Sequence, residues 1–118
     1  MFIINEDECE YRFGESGPKY LLKGPRMNFV LVRIRPGEDF QAHCHHVMEE
    51  NFFIVEGRVD VVVDGVKHVL NAGDLIHIEP DEVHYMVNPY GQPAKIVSTL
   101  APFQEGDKVN AANPVCQG

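Results

Sequence analysis

Residues 58–70 constrain the fold more than any other part of this chain. Val59, Val61 and Val63 alternate with Arg58, Asp60 and Asp64, the period-two signature of a half-buried strand, with Val62 as the one departure. Asp64-Gly65 then joins this strand to residues 66–70 as a two-residue hairpin of type I′. The same grammar recurs along the chain. Residues 27–35 are β-rich and end at the turn Pro36-Gly37. Residues 51–56, 75–78, 84–88 and 95–100 supply further short strands, and no window carries a convincing helical stripe. Many short strands punctuated by Gly and Pro predict an all-β barrel or sandwich.

The segment between Gly37 and Gly57 adds chemistry to this frame. His43 and His45 stand at i and i+2, with Glu49 and Glu50 a few residues on. A strand alternates faces at every residue, so the two imidazoles project to the same side. On a helix the same spacing would set them roughly 200° apart. Imidazole pairs with a carboxylate are typical ligands for Fe, Mn, Ni, Cu or Zn, so a metal site in a β-protein is expected. His84 lies far downstream, between Gly73 and Asn88, as a further candidate.

Together these two segments resemble the paired motifs of the cupin superfamily. The first family motif is a glycine, five residues, His-x-His, three or four residues, Glu, six residues and a glycine. Gly37, His43, His45, Glu50 and Gly57 meet every element. The second motif runs from a glycine through a Pro-x-Gly turn to a His, then three residues to an Asn; Gly73, His84 and Asn88 keep that spacing. The turn departs from the pattern: Glu79 stands where the family usually has Pro, Pro80 follows one place later, and Asp81 replaces the glycine. The resemblance covers residues from about 27 to 100. It implies a small single-domain double-stranded β-helix, or jelly-roll barrel, with a metal held inside one mouth by His43, His45, Glu50 and His84. Glu50 is preferred to Glu49 because it keeps the motif's distance to Gly57.

Strand parity extends the site. Glu50 inward implies Phe52 and Ile54 inward, and His84 inward implies Met86 inward with Asn88 beyond. These lining residues are mostly apolar, so the metal becomes the main polar anchor for a small substrate with an enolate, carboxylate or carbonyl head. His77 is either a pocket contact beside the metal or an outward-facing structural residue. Glu49 and His46 are expected on the opposite face, Cys44 as a small buried apolar residue, and His68 at the surface.

At 118 residues, 44% of them hydrophobic and 24% charged, one domain with a real core is expected. The expected division is an N-terminal arm with strands over 1–25, the barrel over 26–101 and a tail over 102–118, loosely ordered at its end. A net charge of −8 argues against nucleic-acid or anionic-membrane partners, and no apolar run approaches a membrane span. The N-terminus lacks the basic region of a signal peptide, and Cys9, Cys44 and Cys116 make a poor disulfide framework, so a cytoplasmic setting is the default. Residues 27–35 present Val30, Val32 and Ile34 on one face and Phe29 and Leu31 on the other. The latter pair would lie on the barrel exterior, covered by the N-terminal segment or by a second subunit. Because small cupins commonly form homodimers, the resemblance favours a dimer.

Three imidazoles and one carboxylate leave one or two positions open on an octahedral ion, which marks a catalytic rather than a structural site. The leading expectation is a dioxygenase-type reaction on a small molecule, with one divalent transition metal per chain. Fe or Mn is favoured, with Zn, Ni or Cu as alternatives, and Glu50 both ligates and accepts a proton. A redox-neutral isomerase or lyase is the second expectation, and a non-catalytic metal- or ligand-binding module the third.

Overall fold

The computed structural model describes residues 1–112. Its strands are β1 (Gly17–Lys23), β2 (Asn28–Ile34), β3 (His43–His45), β4 (Glu49–Glu56), β5 (Arg58–Val63), β6 (Val66–Asn71), β7 (Leu75–Ile78), β8 (His84–Val87), β9 (Ala94–Ala101) and β10 (Lys108–Asn110), preceded by one 3-10 turn at Glu6–Glu8. They form two antiparallel five-stranded sheets, ordered β1-β2-β9-β4-β7 and β10-β3-β8-β5-β6. This is the expected all-β double-stranded β-helix. Among the described residues there is no α-helix, so none is long and apolar enough to cross a membrane.

Alternation explains the layering. Val30, Val32 and Ile34 of β2, Ile96 and Leu100 of β9, Phe52 and Ile54 of β4, and Ile78 of β7 meet Val59, Val61 and Met86 from the other sheet in one buried cluster. Full burial of side chains such as Ile34, Ile54 and Ile96 contributes roughly 1.5–3 kcal/mol each, which is what holds the sheets together. The hairpin turn carries positive φ at both residues, 48° at Asp64 and 81° at Gly65, as a type I′ turn requires. Val62, the departure from strict alternation, packs with Ala42 and Tyr85 in a smaller cluster on the back of the second sheet. Gly57 has φ 84°, and a Cβ there would meet the Pro93 carbonyl oxygen at 2.7 Å, so only glycine fits.

Two segments placed outside the barrel by the sequence belong to the sheets. Gly17–Lys23 pairs with β2, from Gly17 opposite Arg33 to Lys23 opposite Asn28, and Lys108–Asn110 pairs with β3. The end of the C-terminal tail and Cys116 lie outside the described residues. Leu31 on the outer face is buried within the single chain, and the N-terminal arm is fastened across that face. Glu6 accepts from Lys95 Nζ at 2.8 Å through its carboxylate and from Lys19 Nζ at 2.9 Å through its carbonyl. Lys19 is on β1 and Lys95 on β9, so the arm crosses β2 between them. Phe29 is half-buried on the same face.

Candidate metal centre

Four ligand atoms, one each from His43, His45, Glu50 and His84, lie within 4.8 Å of one another. The two sheets divide the labour. His43 and His45 come from β3, and His84 of β8 sits directly opposite His43 in the ladder. Glu50 approaches from β4 in the facing sheet. Ring centroids are 4.5 Å apart for His43 and His84, 5.1 Å for His43 and His45, and 5.9 Å for His45 and His84.

The imidazoles are aimed by backbone carbonyls. His43 Nδ1 donates to the Gln41 carbonyl at 3.0 Å, and His84 Nδ1 to that of Glu82 at 2.9 Å, so in both rings Nε2 faces the centre. His84 Nε2 lies 2.8 Å from Glu50 Oε1, His45 Nε2 at 3.4 Å and His43 Nε2 at 3.8 Å. Glu50 Oε2 accepts from the Ser98 hydroxyl at 2.7 Å, which turns Oε1 toward the three rings.

Electrostatics follow from this packing. Burial alone would push the Glu50 carboxyl up, but the hydrogen-bonding imidazoles around it outweigh burial and hold it well below the usual carboxylate range. Burial alone would lower His84, yet its bond to the Glu50 carboxylate raises it above the ordinary imidazole value. A cation is therefore favoured at the point where the Nε2 atoms converge. His45 supplies the sharper test. It is 6% exposed, and among the described residues neither of its ring nitrogens has a hydrogen-bond partner. Leaving a buried polar atom without a well-formed hydrogen bond costs about 1–3 kcal/mol. Glu50 Oε1, 3.4 Å from His45 Nε2, is the near neighbour of that nitrogen, and a metal ion held between the two would satisfy both. Three nitrogens and one carboxylate oxygen fit a first-row divalent ion.

Other predicted residues fall differently. Phe52 and Met86 line a cavity of about 200 Å³ that opens onto His43, Glu50 and His84. Ile54 faces inward as parity requires, but it lies in the fully buried core and does not border the cavity. His77 is not a pocket residue. The β4–β7 register pairs Glu50 with Ile78 and Asn51 with His77, so Ile78 takes the inner face and His77 the outer one. There its ring contacts Asn51 Oδ1 at 2.7 Å and Glu79 Oε1 at 3.1 Å. Glu49 shares that outer face, where its carboxylate accepts from Asn51 Nδ2 at 3.2 Å and lies 3.5 Å from His77 Nδ1. Cys44 is buried, whereas His46 and His68 are exposed. Asn88 ties the end of β8 to the Ile34 and Gln92 carbonyls at 3.1 and 2.8 Å.

Two supporting residues, Ser98 and Asp107, escaped the sequence reading, and a third, Asp81, was noted there only as a departure from the turn pattern. Ser98 shares the inner face of β9 with Ile96 and Leu100, so its parity was the available signal. Asp107 accepts backbone N–H groups of His46, Val47 and Met48 at 2.9–3.1 Å, fastening the loop between the histidine strand and Glu50. Burial raises its carboxyl, but these donors prevail and hold it below the usual range. Asp81, in the altered turn, takes φ 72° where the family pattern has glycine. Its N–H donates to the His45 carbonyl at 2.7 Å and its carboxylate meets His46 Nδ1 at 2.6 Å, contacts that offset the left-handed backbone.

Comparison with known proteins agrees with this geometry. The family model described as "Cupin domain" matches residues 30–100. The polyketide synthase CurC of Streptomyces cyaneus is 36% identical over 73 residues, covering 62% of this chain and 47% of CurC. The mannose-1-phosphate guanylyltransferase RfbM of Salmonella typhimurium is 25% identical over 88 residues, covering 75% of this chain and 17% of RfbM. The chain thus spans less than half the length of either relative. An uncharacterized conserved protein with a double-stranded β-helix domain from Klebsiella pneumoniae superposes with a TM-score of 0.83 at 24% identity, over 96% of this chain and 99% of that one. A likeness at that identity shows the fold.

Proposed function

Because this chain belongs to the cupin domain family, we propose that it is a metal-dependent enzyme acting on a small molecule, with oxygen chemistry of the dioxygenase type as the reaction. The observation that carries the proposal is the convergence of His43, His45, His84 and Glu50, with the His45 nitrogens unpartnered, at the edge of a cavity of about 200 Å³. These four residues would hold one divalent transition metal. When bound, the ion supplies Lewis acidity toward a substrate oxygen and, if it is iron or manganese, redox capacity toward O₂.

The chain's own contributions are orientation and exclusion. The Gln41 and Glu82 carbonyls fix two ring tautomers, and Ser98 fixes the Glu50 carboxylate. Val30, Val32, Phe52, Met86 and Leu100 wall the cavity with apolar surface and displace water from the substrate's body. The cavity lining includes no carboxylate or histidine outside the proposed ligand set. Glu50 is itself committed on both oxygens, so an independent carboxylate or imidazole base for shuttling substrate protons is lacking among the described residues. Tyr20, Tyr85 and Lys108 remain as proton-transfer groups on the lining, so what is disfavoured is an isomerase or lyase built on a separate carboxylate–imidazole pair.

The test is turnover of an aryl-diol and keto-acid panel by iron- or manganese-loaded protein, with and without O₂. Product formation that stops under anaerobic conditions and matches O₂ uptake is expected. Product formed at the same rate without O₂ would replace this reading with a redox-neutral one, and binding without turnover would reduce it to a ligand-binding module.

A further inference from the structure

The cavity's outer rim carries charge that the metal centre does not use. Arg12 and Lys108 both border it, one from the N-terminal arm and one from β10. Lys108 pairs with His45 in the β10–β3 ladder, and paired residues share a face, so its side chain projects to the same side as the proposed ligands. Arg12 is held by its backbone, whose N–H donates to the Pro18 carbonyl at 3.0 Å, which leaves the side chain free of any structural duty seen in the fold. Among the described residues neither cation forms an ion pair or side-chain hydrogen bond.

Composition makes this arrangement informative. The chain has 10 Lys and Arg against 18 Asp and Glu, yet two cations and a single carboxylate border this cavity, and that carboxylate, Glu50, is turned toward the imidazoles. An acidic protein with a cationic rim on an apolar-walled cleft concentrates small anions there, because low-dielectric walls focus the field. Both cations lie outside residues 30–100, the span matched by the family model.

We propose that Arg12 and Lys108 form an anion-binding lip, and that the substrate is an amphipathic organic carboxylate: an oxygen-bearing head at the His/Glu centre, an apolar body along Phe52, Met86 and Leu100, and an acid group at the rim. This deepens, and rests on, the reading of the centre as a metal-dependent site for a small molecule. It adds a second polar anchor, at the rim, to the one expected at the metal.

Two probes separate the lip from the pocket: dihydrocaffeate, whose catechol head can chelate and whose tail is a carboxylate, and its uncharged primary amide. Calorimetric titration of zinc-loaded protein, chosen so that the catechol is not oxidised, is run on the parent and on Arg12→Gln/Lys108→Gln. The carboxylate is expected to bind the parent about tenfold more tightly than the amide at low salt, the worth of two exposed ion pairs. That advantage shrinks to within about twofold in the variant and at high ionic strength. The amide should bind parent and variant alike, which shows that the variant is folded and its cavity intact. Equal affinity for both probes, or a preference that survives in the variant, overturns the lip while leaving the pocket reading in place. Binding of neither probe by the zinc-loaded parent overturns the pocket reading and the lip with it.

Discussion

Strand β4 contributes to two histidine–carboxylate groupings, one on each face, and they differ in burial and in pairing. Inward, Glu50 faces His43, His45 and His84; outward, Glu49 and Asn51 neighbour His77, with Glu79 beyond. The inner carboxylate is 6% exposed and the His45 nitrogens have no partner among the described residues, whereas the His77 side chain is 41% exposed and contacts oxygens through both nitrogens. The same residue types one position apart thus give a site on one face and a solvated network on the other. What distinguishes them is burial together with incomplete pairing, since protein oxygens and solvent exposure serve the outer group while the inner one is shut away from solvent with the His45 nitrogens unbonded.

The largest effect should come from the hydrophobic continuation of the inner face. Ile54→Ala removes a side chain with no exposed surface and should cost about 2–5 kcal/mol in urea unfolding, whereas Phe53→Ala, 42% exposed on the outer face, should stay within about 0.5 kcal/mol. Equal costs would mean that the two faces are not the inside and outside of the barrel.

Next in size, Glu50→Gln should weaken zinc affinity by at least about 100-fold, beyond the loss usual for residues that only support a ligand. Glu49→Gln and His77→Ala, read by the same competition assay, should each change it by less than about twofold. A large loss in either outer variant would break the comparison.

Asp107→Asn probes how far the inner face depends on its loop. The neutral amide keeps the shape but weakens three charge-assisted bonds, so metal affinity should fall by about tenfold with little change in the far-ultraviolet spectrum. The pH dependence has a definite sign. The Asp107 carboxyl is depressed in the folded protein, so its contribution to stability is present above the unfolded value of about 3.9 and is lost as pH falls through the lower folded value. Subtracting the Asp107→Asn stability curve from the parent's should leave a difference that vanishes only on this acid side. A difference independent of pH would contradict the role given to the charge.

These contrasts also show what the chain discloses before it is folded. The strands between residues 28 and 101 were legible because alternation and Gly/Pro turns are local signals, and the spacing of His43, His45, Glu50 and His84 carried the grouping itself. β10 was not legible, since Lys108–Asn110 is exposed throughout and exists as a strand through its pairing with β3. His77 was ambiguous for a related reason: a lone strand does not say which face is inner, and only the pairing of Glu50 with Ile78 decides it. Asp107 acts through backbone N–H groups about sixty residues away, a relation that leaves no mark in residue type. Ile54 had the right parity, but parity cannot tell core from cavity wall.

The central claim is that the inner grouping is a metal site, and elemental analysis of freshly purified protein tests it most directly, comparing the parent with His45→Ala/His84→Ala and with His77→Ala/Glu49→Gln. The account predicts about one transition-metal ion per chain in the parent and in the outer variant, and little in the inner one. Equal metal in all three, or none in the parent even after incubation with iron, manganese and zinc, would contradict it.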